Sequence, residues 1–472
     1  LPAAMGGRQH YLEHLRRLIL AAQAQAVIAP ASMASWAGEA CDGLALRYAG
    51  TYDSLSRYGE GNSVLPAPNP DTLAYLQFSS GSTRFPRGVA VTQRAVMANT
   101  RGIVRDGLKA GEGDRCVNWL PMYHDMGLVG FMLAPLTCHI SVDYLPTHEF
   151  GRRPLGWLDL ISRNRGTLSY SPSFGYQLCV RRASRGVPAD LDLSSWRVAG
   201  IGGDMIRPHV LAEFAQTFAS VGFRSRAYVA SYGMAEASLA LSFAPLGTGL
   251  RVDHVDSEHM ERDGVVRVET ATATGRTRDF VLCGPILPVH QVEIRDTNGQ
   301  ALPAGRVGVV HVCGPSLMRE YFGDPEESAR VLSADGWLDT GDLGYLSNGE
   351  IVITGRAKDL ILLNGRNIWP QDLEWTAEAE VEGVRSSSVA AFSLDKGNDP
   401  HVVVLFECRR GERKALSEAI AGVLRSRHGV EAQVIPVLAR SLPRTSSGKL
   451  SRAKARQMFL HNGFEESGVV AA

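Results

Sequence analysis

The stretch Leu73-Ala74-Tyr75-Leu76-Gln77-Phe78-Ser79-Ser80-Gly81-Ser82-Thr83-Arg84-Phe85-Pro86-Arg87-Gly88-Val89-Ala90-Val91-Thr92 reads as an apolar strand, a hydroxyl- and glycine-rich loop ending in a cation, and a second apolar strand. Thr92 then stands where a helix over 94–103 needs its N-cap. Glycine lets backbone N–H groups approach an anion closely, hydroxyls donate to its oxygens, and Arg87 offsets its charge, so the loop suits a phosphate group. It lacks the Gly-Lys-Ser/Thr ending of a P-loop nucleotidase, and taken alone it also fits an ordinary surface turn.

Outward from this stretch, apolar strands and amphipathic helices alternate. Leu12, Leu15, Leu18 and Ile19 recur at helical spacing, and the apolar run 26–29 follows, so the opening reads as a helix feeding a strand. The pattern is α/β. Beyond Gly284 the texture changes to short strands over 289–294, 307–313 and 350–354, punctuated by Asn298-Gly299 and Asn348-Gly349. The turn Asn364-Gly365 and a helix with Pro370 at its first position come next. We place a domain boundary between these two regions, with 1–355 as a large N-terminal domain, 356–358 as a hinge, and 359–472 as a small α+β C-terminal domain. The cluster Arg409-Arg410-Gly411-Glu412-Arg413-Lys414 reads as a solvated face.

Composition narrows the function. The 472 residues carry 49 basic and 49 acidic side chains, so no long-range field draws nucleic acid or an anionic bilayer, and a phosphate ligand must be held by local groups. The seven cysteines, Cys41, Cys116, Cys138, Cys179, Cys283, Cys313 and Cys408, show neither disulfide-scaffold nor zinc spacing, which fits a reducing cytoplasm. Apolar runs such as 128–135 are too short to span a bilayer, so no stable membrane insertion is expected.

A second phosphate-suited turn, Leu442-Pro443-Arg444-Thr445-Ser446-Ser447-Gly448-Lys449, closes the chain's set of motifs. Between the two lie Tyr123-His124-Asp125-Met126-Gly127, Ser231-Tyr232-Gly233-Met234-Ala235-Glu236, Trp337-Leu338-Asp339-Thr340-Gly341-Asp342 and Gly355-Arg356-Ala357-Lys358-Asp359, in that order. The ordered set resembles the adenylate-forming superfamily of acyl-CoA synthetases, luciferases and peptide-synthetase adenylation domains, over about 71–459. The chain begins at Leu1 and, against that pattern, roughly a hundred leading residues are absent.

The resemblance implies ATP and Mg2+ as cofactors and a role for each motif. Ser80, Gly81, Ser82, Thr83 and Arg87 would hold the β- and γ-phosphates, with Thr83 and Glu236 at Mg2+. Arg84 departs from the family's glycine at its position. Gly203 and Asp204, together with Ser231, Tyr232, Gly233 and Met234, would surround adenine, with Tyr232 stacking on it. Asp342 and Arg356 would hold the ribose, Lys358 would be the hinge, and Lys449 would bridge the acyl carboxylate and the α-phosphate. His124 would sit at that carboxylate. Met122, Val129, Phe131, Met132, Phe174 and Tyr176 would line an acyl channel, although such an apolar stretch also reads as plain core.

Three details resemble the fatty acyl-AMP ligase branch: Tyr123-His124-Asp125-Met126-Gly127, Trp369-Pro370-Gln371-Asp372-Leu373-Glu374, and extra length at about 251–279. That branch implies activation of a medium- or long-chain fatty acid to acyl-AMP and its transfer to the phosphopantetheine arm of an acyl carrier protein. The extra segment would pack on the first domain and restrain rotation about Lys358. A long-chain acyl-CoA synthetase, and a non-catalytic acyl- or nucleotide-binding module, are the alternatives.

Overall fold

The computed structural model describes residues 7–58, 64, 67, 69–79, 87–269, 276–396, 399–409, 413–445, 448–461 and 463–464. They form two compact units. The first comprises Leu1–Leu250, Cys283–Val292 and Val312–Asp339, and the second Arg251–Leu282, Glu293–His311 and Thr340–Ala472, so the expected hinge residues 356–358 fall inside the second.

The first unit is built on a six-stranded sheet in the order Ala240–Phe243, Tyr228–Gly233, Val198–Ile201, Leu168–Ser171, Arg115–Asn118, Ser141–Tyr144. All neighbours are parallel except Ala240–Phe243, which runs antiparallel to Tyr228–Gly233. Every residue of Leu168–Ser171 and Val198–Ile201 is buried, as a parallel sheet covered on both faces requires. Against it packs an aromatic core in which Tyr176 lies 5.4 Å from Trp157, 5.0 Å from Phe214 and 5.8 Å from Tyr228 between ring centroids. A second sheet pairs Leu73–Ser79 with Arg87–Thr92 and adds Glu320–Tyr321 on the far edge, all antiparallel. Ahead of these, helices Arg8–Ala21 and Ala34–Cys41 enclose their own core with the parallel pair Ala26–Ala29 and Tyr48–Thr51.

Thr92 caps as expected, its hydroxyl accepting from the Ala95 amide at 3.2 Å. The helix Gln93–Arg101 then widens into a π-helical turn, Gly102–Gly107. The strand expected from 289 begins instead at Gln291, because Val289 takes φ +62° in a turn closed by the His290 amide on the Leu287 carbonyl at 3.2 Å.

The second unit contains the antiparallel pair Val252–Asp256 and Thr277–Val281, with helix Ser257–Asp263 between them. Residues 293–295, 308–311, 340–347 and 350–356 of this unit belong to a four-stranded sheet in the order Gln291–Arg295, Gly308–Cys313, Trp337–Ser347, Glu350–Arg356. The C-terminal part of this unit is a three-stranded sheet, Val389–Lys396, Asp399–Cys408, Ala432–Leu438, with helices on both sides. Its strands alternate faces: Val389, Ala391, Val402 and Val404 meet Leu373, Ile420 and Leu424, whereas Ala390, Phe392, Val403 and Leu405 meet Leu442, Ala455 and Phe464. This is the mixed α/β architecture expected from the sequence. Among the described residues, no helix is long and apolar enough to cross a membrane.

Candidate functional site

In the first unit, the phosphate-suited loop is the connection between paired antiparallel strands, whose last partners are Ser79 and Arg87. Ser80, Gly81, Ser82 and Thr83 lie outside the described residues. Arg87, at the exit, forms an ion pair with Glu327 at 2.5 Å, and its guanidinium sits 5.4 Å from the centroid of the Tyr321 ring.

The two segments expected at adenine come together. Ser231 donates to the Ile201 carbonyl at 3.2 Å, and a Cβ on Gly202 would stand 2.8 Å from the Ser231 Oγ, so glycine is required there. A Cβ on Gly233 would come within 1.9 Å of the Leu239 carbonyl oxygen, which fixes glycine in the second segment as well. Gly203 takes φ +77°, Asp204 accepts from the Met205 amide at 2.8 Å, Tyr232 is buried, and Met234 is half-buried. Glu236 follows in the turn, where one carboxylate oxygen accepts from the Tyr321 hydroxyl at 2.8 Å.

The Tyr123-His124 loop is tied down from three sides. Gln77 donates to the Tyr123 carbonyl at 2.8 Å, Asn118 bonds both the amide and the carbonyl of Leu120 at 3.0 Å, and Thr147 donates to the Trp119 carbonyl at 2.8 Å. His124 Nδ1 lies 2.5 Å from Asp125 Oδ1 at the start of the short helix Asp125–Leu128. Of the residues expected at an acyl channel, Val129 and Phe131 are buried, Phe174 is half-buried beside Trp119, and Met122 and Met132 are 38% and 41% exposed. Tyr176 is different. Fully buried in the aromatic core, with its hydroxyl donated to the Gly200 carbonyl at 3.0 Å, it packs as core rather than as a channel wall.

In the second unit, Asp342 and Arg356 face each other across paired strands, with Arg356 Nε 3.2 Å from Asp342 Oδ1. Asp342 is buried, and its amide donates to Thr340 Oγ1 at 3.1 Å, which in turn donates to the Val310 carbonyl at 2.7 Å. Lys358 is exposed in the short turn Ala357–Asp359. Lys449 is half-buried on a tight turn, its carbonyl accepting from the Thr445 amide at 2.8 Å and its amide donating to Thr445 Oγ1 at 3.2 Å.

The inserted segment is bonded heavily within this unit. Ahead of Lys358, Tyr345 donates to Asp253 at 2.9 Å, Arg251 pairs with Glu350, and Arg278 donates to the Thr354 carbonyl at 3.2 Å. Beyond Lys358, Glu261 pairs with Arg366 at 2.5 Å, Arg278 Nε lies 2.8 Å from Asp372, and Arg276 reaches His428 at 3.3 Å. The Arg278 guanidinium is also 4.3 Å from the Phe280 ring centroid and 5.1 Å from that of Trp369. Burial pushes the Asp372 carboxyl up to about 6 despite that guanidinium. Burial, followed by the surrounding arginines, drives His428 down to about 4.

Neither Tyr321, Glu327 nor the Arg278–Asp372 pair was found by motif reading, because each depends on partners far away in sequence. Among the described residues, no three His, Cys, Asp or Glu side chains gather closely enough to hold a metal on their own. A single oriented carboxylate, Glu236, fits Mg2+, which takes most of its oxygens from phosphate and water.

The sequence model of the AMP-binding enzyme family matches residues 9–322. A protein of Caulobacter vibrioides named "Putative acyl-CoA synthetase" is 53% identical over 98% of this chain and 80% of its own length. The medium-chain-fatty-acid–[acyl-carrier-protein] ligase JamA of Moorena producens is 35% identical over 85% of this chain and 70% of its own. A structure solved in a study of fatty acyl-adenylate ligases from E. coli and L. pneumophila superposes with a TM-score of 0.92 at 43% identity, covering 98% of this chain and 83% of that one.

Proposed function

The chain belongs to the family of AMP-binding enzymes, and from that premise we propose that it activates a medium- or long-chain fatty acid with ATP, giving acyl-AMP and pyrophosphate, and then passes the acyl group to the phosphopantetheine thiol of an acyl carrier protein. It is an adenylate-forming ligase that uses ATP. Fatty-acid activation is supported by what JamA and the fatty acyl-adenylate ligases are named for.

An acyl carboxylate must attack an α-phosphorus that is already surrounded by negative charge, so the chemistry rests on positioning and on cations aimed at the charge that builds. In this reading Lys449 bridges the carboxylate and the α-phosphate, and His124 meets the carboxylate. His124 Nδ1 faces Asp125 at 2.5 Å and accepts from the Met126 amide at 3.4 Å, which leaves Nε2 for the substrate side. Ser80, Gly81, Ser82, Thr83 and Arg87 hold the phosphates. Gly203, Asp204, Ser231, Tyr232, Gly233 and Met234 enclose adenine, and Asp342 and Arg356 take the ribose. Glu236 and Thr83 would hold Mg2+, which when bound offsets the charge of the triphosphate. Met122, Val129, Phe131, Met132 and Phe174 remain as the acyl-channel residues.

The choice of carrier protein over CoA rests on one observation. The inserted segment bonds to residues on both sides of Lys358, through Tyr345, Glu350 and Thr354 before it and Arg366, Asp372 and His428 after it. Rotation of residues 359–472 about Lys358, which withdraws Lys449 before either thiol can enter, would have to break the second set, so the segment restrains the domain arrangement that free CoA needs, and transfer to the carrier has to release the same contacts. The rival reading as an acyl-CoA synthetase is favoured by the name of the Caulobacter relative. Product analysis with ATP and a ladder of fatty acids, with and without CoA or a phosphopantetheinylated carrier protein, decides between them. Acyl transfer to the carrier but not to free CoA is expected; robust acyl-CoA formation at saturating CoA overturns the ligase reading.

A further inference from the structure

The third strand of the sheet beside the phosphate-suited loop carries a residue to which no motif assigns a role. Glu320 and Tyr321 pair with Ala90 and Val89, so this strand lies against the one that begins at Arg87. The same segment also grips the Glu236 turn: the Met318 amide donates to the Glu236 carbonyl at 2.7 Å, while the Arg319 amide donates to the Ala90 carbonyl at 2.9 Å. Tyr321 stands between the two. Its hydroxyl donates to a Glu236 carboxylate oxygen at 2.8 Å, and its ring lies 5.4 Å from the Arg87 guanidinium. Glu327, the third residue of a helix capped by Asp324, completes the row with its 2.5 Å ion pair to Arg87.

We propose that Tyr321 is a positioning residue for the ATP site, its hydroxyl orienting Glu236 toward the metal and its ring seating Arg87 for phosphate, while Glu327 holds Arg87 until phosphate replaces it. The inference rests on the nucleotide reading above. A buried hydroxyl on one carboxylate oxygen fixes the plane of the carboxylate, which sets the direction in which a metal can be met. The ring face favours a guanidinium laid over it, and that contact survives when Glu327 lets go.

The test uses the full chain, Mn2+ followed by electron paramagnetic resonance, and a non-hydrolysable ATP analogue followed by calorimetry. Y321F keeps the ring and loses the hydroxyl. Mn2+ bound alongside the analogue should weaken by ~10- to 100-fold, the usual effect of removing an outer-shell partner, while metal-free pyrophosphate binding stays within about twofold. E327Q should do the reverse, leaving Mn2+ affinity unchanged and tightening pyrophosphate binding several-fold, because Arg87 no longer has a charged competitor. Y321F holding Mn2+ as tightly as wild type, or E327Q weakening pyrophosphate binding, overturns the inference alone. A wild-type protein that binds neither analogue nor Mn2+ overturns the nucleotide reading and this inference with it.

Discussion

Replacing Arg278 with methionine keeps an apolar stem of similar length and removes the charge that bridges the inserted segment to the residues beyond Lys358. The side chain is 9% exposed, and it lies 2.8 Å from Asp372, whose own side chain is 14% exposed. Burial raises the Asp372 carboxyl from 3.8 to about 6 even with Arg278 pulling it down, a gap of two units that sets ~3 kcal/mol against the native state whenever the carboxylate is ionised. Without the guanidinium that pull is lost, and an uncompensated buried carboxylate costs ~3–5 kcal/mol. The cost depends on pH, since protonation removes the charge. A carboxyl whose folded pKa lies above its unfolded value binds its proton more tightly in the native state; its stabilising contribution is complete below the unfolded value and is lost as pH rises through the folded one. The deficit of R278M should therefore be largest at about pH 8 and shrink markedly by about pH 5, across the window that Asp372 spans. Hydrogen exchange over residues 251–282 and 366–396, followed through a urea series at both pH values, measures the opening free energy. A deficit below ~1 kcal/mol, or one of equal size at both pH values, refutes the argument that a buried, charge-bearing bridge holds this segment.

K449A should lower acyl-adenylate formation by ~10²- to 10³-fold with an unchanged unfolding midpoint, because the lysine sits on a half-buried turn and in the proposed mechanism acts on developing charge; pyrophosphate release near the wild-type rate would remove it from the chemistry. D342A should raise the KM for ATP more than it lowers kcat, since ribose contacts are the same in ground and transition states. Calorimetry showing unchanged ATP affinity would exclude Asp342 as the ribose ligand. R278M should also release some acyl-CoA synthesis at saturating CoA, detected by chromatography, and a variant that opens by hydrogen exchange yet still makes none would show that the segment does not set the choice of acceptor.

Much of the scaffold was legible because its signals are local. The turn Asn348-Gly349 takes φ +50° and +81°, and Asn364-Gly365 takes +52° and +74°, which are the left-handed conformations those residue pairs favour between antiparallel strands. The strand Gly308–Cys313 appears where the run 307–313 placed it, and Pro370 opens its helix. Asp342 and Arg356 were chosen from separate motifs and meet because a hairpin folds one onto the other. What stayed hidden depends on distance along the chain. Tyr321 lies 85 residues from Glu236, in a two-residue strand whose sequence gives no period to read. Tyr176 carried the opposite difficulty: an aromatic residue four positions into an apolar helix reads equally well as channel or core, and only the surrounding rings and the Gly200 carbonyl decide for core.

Arg278 makes contacts on both sides of Lys358, donating to the Thr354 carbonyl before it and pairing with Asp372 after it. A rotation that carries Asp372 away from Thr354 must part these contacts and expose the guanidinium now enclosed by Phe280 and Trp369. The cost of that opening is less than the sum of the bonds broken, because both charges regain water once separated, and a buried ion pair is for that reason a poor source of net stability. The raised Asp372 carboxyl makes the same point from the closed state, which is held against a standing electrostatic penalty whenever Asp372 is ionised. With Lys358 as the proposed hinge, the segment would be a clasp that can open rather than a weld. Lowering the pH toward 6 relieves the penalty on the closed form and not on the open one, so the clasp tightens as Asp372 takes up its proton.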